Sequence, residues 1–166
     1  MGRADSGSAL VRRLLAEVRA DRTALDARTQ EVRRFAASAA SAERTGALAL
    51  SLDRVYTALE SILERIARTL EGDIPVGPDW HRTLLHNAAL DIPGVRPVLL
   101  RPATIDAADH LRRFRHFLRH AYAAEIDAQR LDALARIWQD SSDPLGADLD
   151  AVEGLLQAMI SRLDAE

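Results

Sequence analysis

The sequence predicts an all-α protein, a bundle of five or six helices, and three observations predict it. Hydrophobic residues make up 48% of the chain and aromatics only 4%. The core must therefore come from Leu, Ala, Val and Ile, and Ala and Leu lose little on entering a helix. Apolar residues recur at steps of three, four and seven, the spacing of a helix face. Prolines gather in three short stretches, GDIPVGPDW, DIPGVRPVLLRP and SSDPLG, which read as breaks. No stretch reads as a strand and no internal repeat is present. At 166 residues the chain 1–166 is most simply one domain, long enough to bury a core.

The elements follow in order. Ser6 or Ser8 can cap an N-terminal helix, within residues 1–42, that carries Val11, Leu14, Val18, Leu25, Val32 and Phe35 as a narrow apolar stripe. The small-residue run AASAASAERTG ends at Gly46 and reads either as a bend or as a tight helix contact. ALALSLDRVYTALESILERIARTLEG is the clearest helix. Leu52, Val55, Tyr56, Leu59, Ile62, Leu63, Ile66 and Leu70 repeat at helical spacing, and Gly72 stands where a capping glycine belongs. After a loop, Asp79 can cap the short helix WHRTLLHNAAL. Thr104 can cap a fourth helix running to about Ala124. A helix from about Asp127 to Gln139 is then broken at SSDPLG. A last acidic helix, within 140–166, puts Leu149, Val152, Leu156, Met159 and Leu163 on one face.

Composition excludes several kinds of chemistry. Cysteine is absent, which removes disulfides, thiolate nucleophiles and Cys-type zinc sites. No run of apolar residues is long enough to span a membrane, and the start MGRADSGSALVRR lacks the apolar core of a signal peptide. The expectation is a soluble, cytoplasmic protein with no membrane association. A P-loop is also excluded, because Pro78 and Asp79 follow Gly77 where Lys and Ser or Thr are required.

Charge is unevenly spread. The net charge is −3, yet RRFRHFLRHAY, residues 112–122, holds four arginines and two histidines. The segment 140–166 carries seven acids against Arg162. A basic patch on an acidic chain points to a local anion site rather than to bulk attraction. On a helix, Leu111, Phe114, Leu118 and Ala121 share an inward face with Tyr122 at its edge. Arg115 borders that face, Arg112 and Arg119 lie further out, and His116 and His120 point outward. Arg115 and His120 are roughly 140° apart around the helix.

Histidine titrates near neutrality and can take or give a proton. Arginine offers a permanent charge and a planar fork that matches phosphate oxygens. Together they suffice for phosphodiester cleavage through the 2′-OH of RNA, with no metal or other cofactor. The plain alternative is a solvated face of Arg and His. His116 and His120 have the spacing of a zinc pair, but no third ligand is evident.

Written as Arg115-x4-His120-x-Tyr122, the stretch resembles the R-x4-H-x-Y signature of HEPN-domain ribonucleases, specifically the HepT-like toxins of bacterial two-gene toxin–antitoxin systems. The long second helix, the segment DIPVGPDWHRTLL with Trp80 and His81, and the VRP at 95–97 are also similar to that family, so that the resemblance covers 43–135. It implies an all-helical HEPN-like bundle and a metal-independent endoribonuclease acting on RNA, tRNA being the class it suggests. Arg115 would bind the scissile phosphate and His120 would move a proton, with His116 and Arg119 as chemically equivalent neighbours. Tyr122 would be the hydroxyl that a cognate nucleotidyltransferase antitoxin modifies with AMP (AMPylation), adding bulk and negative charge beside Arg115. The family's homodimer would bring two such helices together across a two-fold axis.

The alternative from another class is a non-catalytic HEPN module that binds a nucleotide, RNA or a protein partner through the same patch. Glu60 could face the motif and orient Arg or His, although a surface glutamate is the plainer expectation. Trp80 is expected to pack rather than to stack on a base, and His81 and His86 are expected at the surface or at helix ends.

Overall fold

The apolar stripe of the first helix sets how the chain begins to pack. The computed structural model describes residues 2–120 and 125–165, with side chains from residue 6 onward. Helix α1 runs Gly2–Ala36 and buries Val11, Leu14, Leu15, Val18, Leu25 and Val32, lying along α2 (Ala42–Ile66) and α5 (Ala128–Leu163). Phe35 is only partly buried at its end. Neither expected serine caps this helix, because both lie inside it. Ser8 is buried instead, its hydroxyl donating to Asp164 at 2.5 Å.

The small-residue run is a bend followed by a helix start. Ser41 caps α2, Ala42–Ile66, its Oγ accepting the Arg44 N–H at 3.1 Å. Gly46 therefore lies within the helix. Arg44 ties the bend down by donating to the carbonyls of Phe35 (2.9 Å) and Ala36 (3.0 Å) in the last turn of α1, where the helix ladder ends. The predicted stripe of α2 is buried from Leu52 to Ile66, and Leu70 beyond it is partly buried. A π-helical turn, Ala67–Glu71, closes at Gly72, whose φ of 87° is the left-handed value that glycine adopts without strain.

Helix α3 spans Trp80–Asn87. The connection to α4 is held by Arg96, buried and bonded to Glu71 (2.7 Å) and to the carbonyls of Leu90 (2.8 Å) and Asn87 (3.0 Å). Helix α4, Pro102–His120, starts earlier than expected. Proline at the first helical position has no N–H to satisfy, and Asp148 of α5 accepts the Arg101 N–H at 3.1 Å. Thr104 is not the cap. It lies buried inside the first turn and donates to Asp148 at 2.6 Å. The expected continuation of this helix through 121–124 lies outside the described residues.

Helix α5 begins about where expected, and Asp127 caps it, accepting from the N–H groups of Gln129 (2.9 Å) and Arg130 (3.2 Å). The expected break at SSDPLG does not occur, since α5 runs Ala128–Leu163 with Pro144 inside it. The residues on both sides of the proline pack on the same core: Leu131, Ala135 and Trp138 before it, Leu145, Leu149 and Leu156 after it. That shared burial offsets the hydrogen bond that proline forfeits. Arg101 also reaches the Pro144 carbonyl at 2.6 Å. Among the described residues the architecture is an all-α bundle of five helices, as expected. Among the described residues, no helix is long and apolar enough to cross a membrane.

Candidate functional site

Helix α4 carries the basic stretch, and its two sides differ sharply. Leu111 is fully buried, and Phe114 packs partly buried on the core. Arg115 follows on this side, its side chain only 11% exposed. Its guanidinium enters a polar notch on α2, where it bonds the Thr57 hydroxyl, approaches Asp53 at 3.5 Å and lies 4.0 Å from Glu60. It also lies over the Tyr56 ring at 5.9 Å, a favourable place for a cation. Asp53, Tyr56, Thr57 and Glu60 are spaced three and four apart, so one face of α2 presents them together.

Glu60 corrects the expectation of a surface glutamate. It is buried, and its other oxygen meets Nδ1 of His81 on α3. The His81 ring is stacked on Trp80, centroids 3.7 Å apart, while Trp80 itself packs partly buried against the core. Burial first, and then the charge and hydrogen bond of Glu60, push the Tyr56 phenol well above its ordinary range. Tyr56 therefore stays a neutral hydroxyl beside this carboxylate.

The outward side of α4 is open. His116, Arg119 and His120 are exposed. The His116 and His120 rings stack at 4.2 Å, and Nδ1 of His120 lies 2.8 Å from the His116 carbonyl. Further back, Asp109 clamps Arg112 (2.7 Å) and Arg113 (2.8 Å). Burial alone would raise its carboxyl, but the hydrogen bonds from these two arginines prevail and hold it low. Among the described residues, no hydrogen bond or ring contact joins Arg115 to His120. One faces α2 and the other faces solvent. Tyr122 lies outside the described residues.

A family model described as HepT-like protein matches residues 47–156. That span includes the notch on α2, all of α3 and α4, and most of α5. The chain belongs to the HepT-like family. Searches of curated proteins and of solved structures returned no match. In this HepT-like protein the matched span reaches further into α5 than the resemblance over 43–135 did.

Sequence reasoning did not bring His81, Asp53 and Thr57 together with Glu60 and Arg115. The three-and-four spacing of Asp53, Thr57 and Glu60 on the most regular helix was a usable signal. Nothing in the local sequence indicated that the loop 72–79 would return His81 to Glu60.

Proposed function

We propose that this HepT-like protein is the toxin of a two-gene toxin–antitoxin system, a metal-independent endoribonuclease acting on RNA, with tRNA as the first substrate class to test. The observation that carries this reading is Arg115, a guanidinium held by α2 at the border of an otherwise exposed Arg and His arc. A cation fixed before substrate arrives can stabilise the extra charge on phosphorus as the 2′-oxygen attacks, without reorganising at that moment. His120 moves a proton, with His116 stacked on it and Arg119 beside it for the flanking phosphates. No cofactor is required for this route. The protein acts as a homodimer in which two copies of α4 meet, so that Arg115 and His120 act in one cleft though they diverge around one helix. Phe117, 41% exposed on the same helix, supplies an apolar contact for that pairing.

The antitoxin is a cognate nucleotidyltransferase, which attaches AMP to Tyr122. The added phosphate and nucleoside bring bulk and negative charge that oppose the approach of RNA to Arg115. The protein works in the bacterial cytoplasm.

The contacts of Arg115 with Asp53 and Glu60 favour a second reading. Two carboxylates partly offset the charge offered to a phosphate, as suits a non-catalytic HEPN module that binds nucleotide, RNA or a protein partner. Incubation of the unmodified protein with total tRNA in EDTA, beside His120→Ala, decides between them. Cleavage by the wild type alone supports the nuclease. Salt-sensitive binding without cleavage, with intact mass showing unmodified Tyr122, supports the module and removes the nuclease reading.

A further inference from the structure

The nuclease reading assigns one histidine per protomer, yet transfer through a 2′-OH needs two proton movements. The attacking oxygen must lose a proton and the departing 5′-oxygen must gain one. His81 is built for the first of these. Its Nδ1 meets the buried carboxylate of Glu60, which as an anion only accepts hydrogen bonds, so Nδ1 carries the proton and Nε2 presents its lone pair. Stacking on Trp80 fixes the ring plane. Nε2 has no hydrogen-bond partner among the described residues, and the side chain keeps 31% of its surface exposed. The same Glu60 carboxylate faces Arg115 through its second oxygen, 4.0 Å away. A base and an anion-binding fork are thereby set on either side of one carboxylate, within a single protomer.

We infer that His81, oriented by Glu60, is the general base of the site beside Arg115. The inference rests on the nuclease reading. In the first step the 2′-hydroxyl gives its proton to His81 Nε2 as the 2′-oxygen forms a bond to phosphorus. The bond from phosphorus to the 5′-oxygen breaks, and His120, brought by either protomer of the dimer, protonates that oxygen. The products are a 2′,3′-cyclic phosphate and a 5′-hydroxyl, with the negative charge kept on the phosphate throughout. Glu60 of α2 is the charged group in contact with His81, Arg115 of α4 lies at the other oxygen of that carboxylate, and Asp79 and Arg82 flank His81 in sequence.

The test uses full-length unmodified protein and a DNA oligonucleotide containing one ribonucleotide, in EDTA. His81→Gln keeps an amide that can donate to Glu60 but does not titrate. We expect kcat to fall about 10²- to 10³-fold, with the acidic limb of the pH profile lost. Replacing the 5′-bridging oxygen by sulfur removes the need for an acid, so this substrate should rescue His120→Ala and leave His81→Gln slow. Glu60→Gln tests the same base through its orienter and serves if His81→Gln fails to fold. It should retain His81 but shift the acidic limb and lower kcat. Cleavage by His81→Gln within about threefold of wild type with an unchanged pH profile would overturn the inference and leave the nuclease intact. Rescue of His81→Gln by the sulfur substrate would make His81 the acid, which also overturns it. Absence of cleavage by the wild type would remove the nuclease reading and this assignment with it.

Discussion

The carboxylate of Glu60 is shared between two helices, one oxygen on His81 of α3 and the other 4.0 Å from Arg115 of α4. A single buried acid thus sets the relative placement of an imidazole and a guanidinium that are far apart in sequence. Removing it leaves the Arg115 charge less compensated and the Tyr56 hydroxyl without this acceptor. Truncating one member of a buried, hydrogen-bonded charge group costs about 2–4 kcal/mol. Glu60→Ala should therefore lower the unfolding free energy by about that amount in urea denaturation. Glu60→Gln, which keeps the shape and one acceptor, should cost less than half as much. Equal losses in the two variants would show that the charge of Glu60 does not contribute.

Arg115 and His120 should separate cleanly in a stability experiment. Arg115 is partly buried against two acids and an aromatic ring, while His120 is exposed and bonds only within its own helix. Arg115→Ala should destabilise by about 1–3 kcal/mol, because it strands Asp53 and Glu60. His120→Ala should fall within about 0.5 kcal/mol of wild type, as surface substitutions usually do. Thermal or urea unfolding of the two variants checks this. The consequence for enzymology is direct: activity lost in His120→Ala reports on chemistry, whereas loss in Arg115→Ala mixes chemistry with folding.

The legible parts of the fold were those governed by local periodicity. The face of α2 from Leu52 to Ile66 was readable because every third or fourth residue is apolar, and all of them are buried. Gly72 was readable because a capping glycine is a local device, and the start of α5 near Asp127 was readable for a similar reason. Pro144 misled because proline breaks a helix only where nothing else holds it. Here burial of Trp138 and Leu145 on either side keeps α5 continuous. Thr104 misled for a related reason, since α4 starts under Asp148, a partner 44 positions away from that threonine. The arc of Arg and His on α4 was readable, down to the outward course of His116 and His120. The partners of Arg115 were not, because helix spacing gives a direction and not the neighbour that lies there. His81 depended on the path of the proline-rich loop before it.

Trp138 offers a test of the core that is independent of the site. It is fully buried on α5, and its indole N–H donates to the Thr29 hydroxyl on α1 at 3.2 Å. Thr29→Val preserves shape but leaves a buried donor without this acceptor, at a cost of about 1–3 kcal/mol. Trp138→Phe removes the donor as well as ring volume. In the double variant the hydrogen-bond penalty of Thr29→Val should largely vanish, because no donor remains to be stranded. A double-mutant cycle read by urea unfolding should therefore give a coupling of about 1 kcal/mol. Simple additivity would mean that this bond contributes nothing.

Asp109 should influence stability and anion binding in opposite directions. Its carboxyl is held below the ordinary range: burial opposes ionisation, but the hydrogen bonds from Arg112 and Arg113 outweigh it. Because the folded-state pKa is depressed, its stabilising effect is present above the unfolded carboxyl value, about 4. It is lost as pH falls through the lower folded value. Glu153 behaves the same way, its hydrogen bonds from Arg19 and Arg22 outweighing burial. Unfolding midpoints should thus be level from pH 7 to about 5 and fall below about 4. Asp109→Asn should lower stability at pH 7 by about 0.5–1 kcal/mol, since Arg113 is a solvent-facing partner, and should flatten the acid dependence. The same substitution frees Arg112 and Arg113 from their counter-charge on α4. RNA affinity at low salt should therefore rise, and its dependence on salt should steepen. Filter binding across a salt series, run beside acid unfolding of the same variant, measures both effects. A rise in stability at pH 7, or a fall in affinity, would contradict the view that Asp109 restrains the basic arc while holding it together.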